Sequence, residues 1–248
     1  MVLNRRLAQA SVLMLGLTLG LTALSSPAQN LRRVEDSMAE RVQACTACHG
    51  DQGRAGPDGY YPRLAGKPAG YLYQQLLNFA EGRRHYGLMT QLVDPLTPAY
   101  LREIAEHFAS LQVPYPPPTT VSMSPAQRTR GQQLVEQGDA RRGVPACMQC
   151  HGARLTGVQA HVPGLLGLPQ DYLNAQLGAW QTGQRKAQAP DCMAEVLRRL
   201  APGDVVAVSG WLASQPVPAD SRPALAVQAP LPNTWRCGSA PELQGGRP

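Results

Sequence analysis

Apolar residues recur at spacings of four and three from Leu72 through Leu76 to Phe79, the period of a helix face turned toward a core. The same period returns in Leu101, Ile104, Ala105 and Phe108, and again in Val205, Val208, Ser209 and Leu212. No run alternates convincingly between apolar and polar positions, so the chain reads as all-α. Gly50, Gly53, Gly56, Pro57, Gly59 and Pro62 crowd one stretch and predict loop there. The prolines of VPYPPPTTVSMSP (Val113 to Pro125) favour an extended, stiff connector, and Ser124-Pro125 reads as the N-cap and first position of a new helix. After Gln215 the chain turns Pro- and Ala-rich to Pro248, an irregular tail in which only Cys237 suggests a tether.

The pattern is written twice. At an offset of 101, GYLYQQLLNFAEGRR (Gly70 to Arg84) lies on DYLNAQLGAWQTGQR (Asp171 to Arg185), matching Tyr71 to Tyr172, Gln75 to Gln176 and Arg84 to Arg185. Pro62-x-Leu64-x-Gly66 falls on Pro163-x-Leu165-x-Gly167 at the same offset. At an offset of 104, Met89 meets Met193, Pro98 meets Pro202 and Phe108 meets Leu212. Small changes of offset are what loop-length variation produces, so the chain holds two copies of one helical unit of about ninety residues. The division predicted is a leader at 1–28, a first unit at 29–112, the connector at 113–124, a second unit at 125–215 and the tail at 216–248.

The leader is expected because a basic start at Arg5-Arg6 precedes an apolar run from Leu7 to Leu24 that ends in Ser26-Pro27-Ala28, a signal-peptidase pattern cut after Ala28. Gln9, Ser11 and two threonines interrupt the run, which favours a removed leader over a permanent anchor. The mature chain is then expected in the periplasm, where disulfides persist. Without the leader the formal charge of +6 falls to nearer +4, and Lys and Arg are scattered rather than striped with aromatics. Nucleic acid is a poor fit to such a surface, while association with an acidic partner or the membrane face is permitted. With 2 Phe and 3 Trp, two small units are thinly cored unless something else supplies apolar bulk.

Four of the six cysteines stand in two Cys-x-x-Cys-His motifs, Cys45 to His49 and Cys147 to His151. A four-thiolate zinc site would have to join different repeat units and would leave each adjacent His unexplained. A redox dithiol normally sits in an α/β unit, of which there is no sign. Attachment of a c-type haem uses every residue: two thiols bond the porphyrin and the His ligates iron. A second axial ligand should recur in both copies. His85, His107 and His161 have no histidine at the matched position, whereas Met89 and Met193 match, 40 residues after His49 and 42 after His151. The alternative for a methionine at helical spacing is ordinary core packing, and His85 is the substitute at the first site. A His/Met haem leaves no open position for substrate, the design of a one-electron carrier rather than an enzyme. Arg84 and Arg185 either pair with haem propionates or remain solvated.

ACTACHGDQG, YPRLAGKPAGYLYQQLLNFAEGRR, GQQLVEQGDARRGVPACMQCHGARLTG and LGLPQDYLNAQLGAWQTGQR together resemble the dihaem cytochromes c of the cytochrome c4 type, over nearly all of residues 32 to 215. The resemblance implies two tandem class I cytochrome c domains about a pseudo-twofold axis, with two covalently bound haems c close enough to exchange electrons. It implies Cys45, Cys48, His49 and Met89 at one haem and Cys147, Cys150, His151 and Met193 at the other. It further implies a respiratory or periplasmic carrier, often membrane-associated. Its expected redox partners are a quinol-oxidising complex, a periplasmic dehydrogenase or a cytochrome oxidase. Service as the electron-accepting subunit of a sulfur-compound or alcohol dehydrogenase, or dehydrogenase activity of its own, is the alternative. Two departures stand out: Cys192 directly precedes Met193, and the tail is longer than the family pattern needs. A Cys192–Cys237 disulfide pinning the tail beside the second haem is expected, against two free thiols or Cys192 as a thiolate ligand.

Overall fold

The computed structural model describes residues 36–244 apart from 57, 230 and 233; the expected leader and its cleavage after Ala28 lie outside the described residues. The first copy contains α1 (Met38–Arg41), α2 (Gln43–His49), α3 (Ala69–Ala80), α4 (Gly87–Val93) and α5 (Pro98–Ser110). The second contains α6 (Pro125–Glu136), α7 (Cys147–His151), α8 (Gln170–Gln181), α9 (Cys192–Arg199) and α10 (Pro202–Ala213). Residues 111–124 have no regular structure, and Ser124 opens α6 with a capping box to Gln127. Each proposed methionine occupies a short helix of its own, α4 or α9, which the periodicity alone had not separated from its surroundings.

The periodic faces become the cores. Val42, Leu72, Ile104, Ala105 and Phe108 pack together in the first copy, and Leu134, Val135, Leu173, Val208 and Leu212 in the second. Repeat-matched positions therefore do matched work: Leu72 and Leu173 on the second long helix, Phe108 and Leu212 on the last. One strand pair departs from the all-α expectation, an antiparallel hairpin of Gly157–Val158 with Val162–Pro163. Two residues per strand are too few to leave a period in the sequence. Among the described residues no helix is long and apolar enough to cross a membrane.

Helices α6 and α10 cross closely at Gly131, where a Cβ would lie 2.3 Å from the Ala207 carbonyl oxygen. The crossing is flanked by an ion cluster: Arg130 donates to Asp204 at 2.7 Å and to Asp139 at 2.9 Å, and Arg142 donates to Asp204 at 2.7 Å. Burial pushes the Asp204 carboxyl up, but bonding to Arg130 and the Ala201 amide outweighs it and holds the pKa below its ordinary value. A depressed carboxylate stabilises the fold above its unfolded pKa, and that contribution disappears as pH falls through the folded one. Asp204→Asn is therefore expected to lower stability by about 2 kcal/mol at pH 7, with the difference shrinking below about pH 4. Urea unfolding of both proteins at the two pH values measures it.

Candidate functional site

Each CxxCH is held the same way. His49 and His151 end their helices, and the next residue, Gly50 or Gly152, takes φ of 75° or 83°, a conformation glycine adopts freely. At Gly50 a Cβ would also lie 2.1 Å from the Ala55 carbonyl oxygen, so the turn admits no side chain. The turn brings a proline carbonyl over each ring: His49 Nδ1 lies 2.7 Å from the Pro62 oxygen, and His151 Nδ1 lies 2.8 Å from that of Pro163. A carbonyl only accepts, so Nδ1 carries the proton and Nε2 keeps its lone pair. Burial pushes both imidazole pKa values down against the opposing effect of the carbonyl, which keeps the rings neutral. Repeat-matched prolines thus hold both rings with Nε2 free to act as an acceptor or a metal ligand.

Cys150, His151 and Met193 line one partly open cleft, walled by Leu165, Leu168, Leu173, Leu177 and Trp180. Cys147 is packed beside it against the second core. Burial raises the Cys147 thiol to about 12 and the Cys150 thiol to about 11, values that suit bonding to an apolar ring better than thiolate ligation. In the first copy Cys45 packs on the core containing Leu72 and Phe108, Tyr61 meets His49 edge-on at 6.1 Å, and Met89 packs beside Phe79, Val93 and Leu101. Among the described residues no three His, Cys, Asp or Glu side chains converge as metal ligands. His85 is exposed. His107 stacks edge-on with Phe108. His161 lines the second cleft, but its Nδ1 is 3.1 Å from a Glu242 carboxylate oxygen and its other edge packs at Gly70 of the first copy.

The two copies meet through their matched polar residues. Arg84 donates to Gln176 at 2.7 Å and to the Tyr172 hydroxyl at 3.4 Å; reciprocally, Arg185 donates to Gln75 at 2.9 Å and to the Tyr71 hydroxyl at 3.4 Å. The backbones of Arg84 and Arg185 pair antiparallel across this axis. Each guanidinium also lies over the aromatic ring of its own long helix, Arg84 on Phe79 at 4.6 Å and Arg185 on Trp180 at 3.8 Å. Neither arginine is simply solvated. Lys67, Tyr71 and Gln75 of the first copy form part of the wall of the second cleft.

A c-type haem, an apolar ring with two anionic propionates, fits this arrangement. The cleft is apolar, and the two histidines present a free Nε2. Lys67 and Arg185 are buried, and Arg185 donates to the Tyr71 hydroxyl, on which Arg84 and Lys67 also act electrostatically. Burial pushes that hydroxyl up, yet the three cations leave its pKa below the ordinary tyrosine value. Among the described residues none of these cations has a carboxylate within ion-pair distance. Buried charge without a counter-ion is costly, and propionates would supply it.

The interface cation Lys67 escaped the sequence reasoning because its matched position is Leu168, so the repeat did not mark it. Arg63 was missed for the same reason: it is buried, donates to the carbonyls of Ala65, Val113 and Pro114, and lies over Tyr115 at 3.8 Å, clamping the connector to the first copy. Cys192 and Cys237 are joined in a disulfide, as expected, which removes Cys192 from consideration as a thiolate ligand.

No family model matches the chain. It is 37% identical over 177 residues to the thiosulfate dehydrogenase electron acceptor of Thiomonas intermedia, covering 70% of this chain and 79% of that protein. To cytochrome c4 of Pseudomonas aeruginosa it is 32% identical over 201 residues, covering 79% of this chain and 94% of the relative. Reduced cytochrome c4 from Pseudomonas stutzeri superposes with a TM-score of 0.61 at 30% identity, over 71% of this chain and 95% of that one. Thiosulfate dehydrogenase (TsdBA) from Marichromatium purpuratum, as isolated, also gives 0.61 at 32% identity, over 71% of this chain but only 37% of that longer chain.

Proposed function

The chain belongs to the cytochrome c4 family of dihaem cytochromes c, an electron-carrier family, and on that premise we propose that it accepts electrons from a periplasmic dehydrogenase of thiosulfate or a related sulfur compound. In this reading Cys45, Cys48, His49 and Met89 hold one haem within residues 29–112. Cys147, Cys150, His151 and Met193 hold the other within 125–215, and the segments 113–124 and 216–248 are connector and tail. The haems supply reversible one-electron ferric/ferrous chemistry, so two of them hold the two electrons that one dehydrogenation releases. The protein's part is to hold both groups rigidly, keep water out and place them together.

The observation that carries this reading is the shared wall. Tyr71 and Gln75 of the first copy line the second cleft, and Arg185 beside it donates to Gln75, which supports two sites that share a hydrogen-bonded seam. The sulfur-compound donor comes from the relatives named as thiosulfate dehydrogenase electron acceptors and from the TsdBA chain, of which this fold covers part. The chain passes electrons on to an oxidase or other acceptor and performs no catalysis itself.

Mixing the oxidised holoprotein with thiosulfate and a catalytic amount of a thiosulfate dehydrogenase is expected to reduce both haems. The α-band absorbance should account for two electrons per chain. Thiosulfate alone should leave the chain oxidised. No reduction by the enzyme, with full reduction by ascorbate, would overturn the donor assignment, and turnover by the chain alone would make it an enzyme.

A further inference from the structure

The repeat provides its own control for the tail. Around Met89 in the first copy, Leu88 is 55% exposed, Leu92 46% exposed, and nearby Tyr60 61% exposed. At the matched positions in the second copy, Cys192 is tied to the tail by its disulfide and Val196 lines the cleft together with Leu231, Trp235, Cys237, Ala240 and Leu243. The tail thus covers in one copy the very positions left bare in the other.

Its attachment is built, not incidental. Leu231, Cys237, Ala240 and Leu243 form one apolar cluster with Val158 and Val162 of the hairpin, packed against Cys150, Cys192 and Trp235. Glu242 accepts from the His161 amide at 2.9 Å and lies 3.1 Å from His161 Nδ1. Arg199 sits over the Trp235 ring at 4.8 Å, and Ala224 pairs with Val158 along the backbone. At the near end of the same segment the Gly238 amide donates to Pro190, two residues before Cys192, at 2.9 Å. The copy with the cover is also the copy whose cleft is walled on another side by Lys67, Tyr71 and Gln75.

We propose that the tail is a disulfide-locked cover over the second haem site, which leaves the first site as the port where redox partners exchange electrons with the chain. With haems held at both sites, a partner's electron would enter at the first, where it would take the iron from ferric to ferrous, and could pass on to the second across the interface; it would leave to an acceptor through the first, with no bond made or broken. The cover holds water and partner surfaces off the second site and fixes the segment that carries Met193. Without it, the second site would be as bare at its Cys192 and Val196 positions as the first is at Leu88 and Leu92. The proposal rests on the reading that both motifs hold haem, and it adds which of the two faces outward.

The test is NMR of the ferric holoprotein with a soluble, uncharged gadolinium chelate, reading the haem methyl resonances of each site. These resonances are assigned by their loss in Met89→Leu or Met193→Leu. Resonances of the first haem are expected to broaden severalfold more than those of the second. Equal broadening in the native protein overturns the proposal. In the double variant Cys192→Ser, Cys237→Ser the protection of the second haem is expected to be lost while that of the first is unchanged. Retained protection there overturns the lock, and because the native comparison stands alone, misfolding of the variant does not rescue the idea. The measurement needs no dehydrogenase, so failure of the donor assignment shows separately as no reduction by that enzyme.

Discussion

Met193→Leu is expected to remove about half of the charge-transfer absorbance that ferric haem shows when bound by methionine sulfur, and to lower the potential of the second site by on the order of tenths of a volt. Leucine keeps the volume, so the surrounding helix should fold. Met193 is the second residue of α9, whose first turn is fixed by the Asp191 side chain accepting from the Ala194 amide at 3.0 Å and by the disulfide at Cys192. Met89→Leu should remove the other half of the absorbance and lower the first potential. Redox titration followed in the visible and the near-infrared reads both. His85→Ala, at an exposed position, should change neither; loss of the first-site signal in that variant would transfer the ligand role from Met89 to His85. An unchanged charge-transfer band in both methionine variants would remove these residues from iron altogether and return them to core packing.

The sequence carried the plan of these sites further than it carried the fold that joins them. Matching of Met89 with Met193 and of His49 with His151 follows from the repeat, because duplication leaves paired residues at shifted but traceable positions. The same repeat had already aligned Tyr71 with Tyr172, Gln75 with Gln176 and Arg84 with Arg185, which are the residues that bond across the interface. Their meaning was hidden because a polar residue recurring on a helix face fits solvent as well as a twofold seam; only the third dimension brings each arginine to the other copy's glutamine. Lys67 and Arg63 were illegible for the opposite reason, since each acts in one copy only. The role of the tail was half legible. Cys237 announced a tether, but Leu231, Ala240 and Leu243 sit in a Pro-rich run with no period, so their burial depends on what the hairpin at Gly157–Val158 offers them.

Arg185→Met tests the seam. The guanidinium donates to Gln176 at 2.7 Å, to Gln75 at 2.9 Å and to the Tyr71 hydroxyl at 3.4 Å, and it stacks on Trp180. Burial, then repulsion from Arg84, pushes its pKa down from the ordinary arginine value, yet an arginine stays charged in a protein. Methionine preserves much of the apolar contact and deletes the charge and its bonds, which should cost about 2–4 kcal/mol, with the two copies unfolding in separable transitions. The sign of the redox effect distinguishes this from a packing defect. A buried cation favours gain of an electron at a nearby iron, so its removal should lower the potential of the second site by on the order of tens of millivolts. Arg84→Met should do the same to the first. If both variants melt earlier while neither potential moves, the arginines only glue the copies together. If the potentials fall as expected, the residues that hold the two copies in register also set the redox potentials of the haems between which electrons pass.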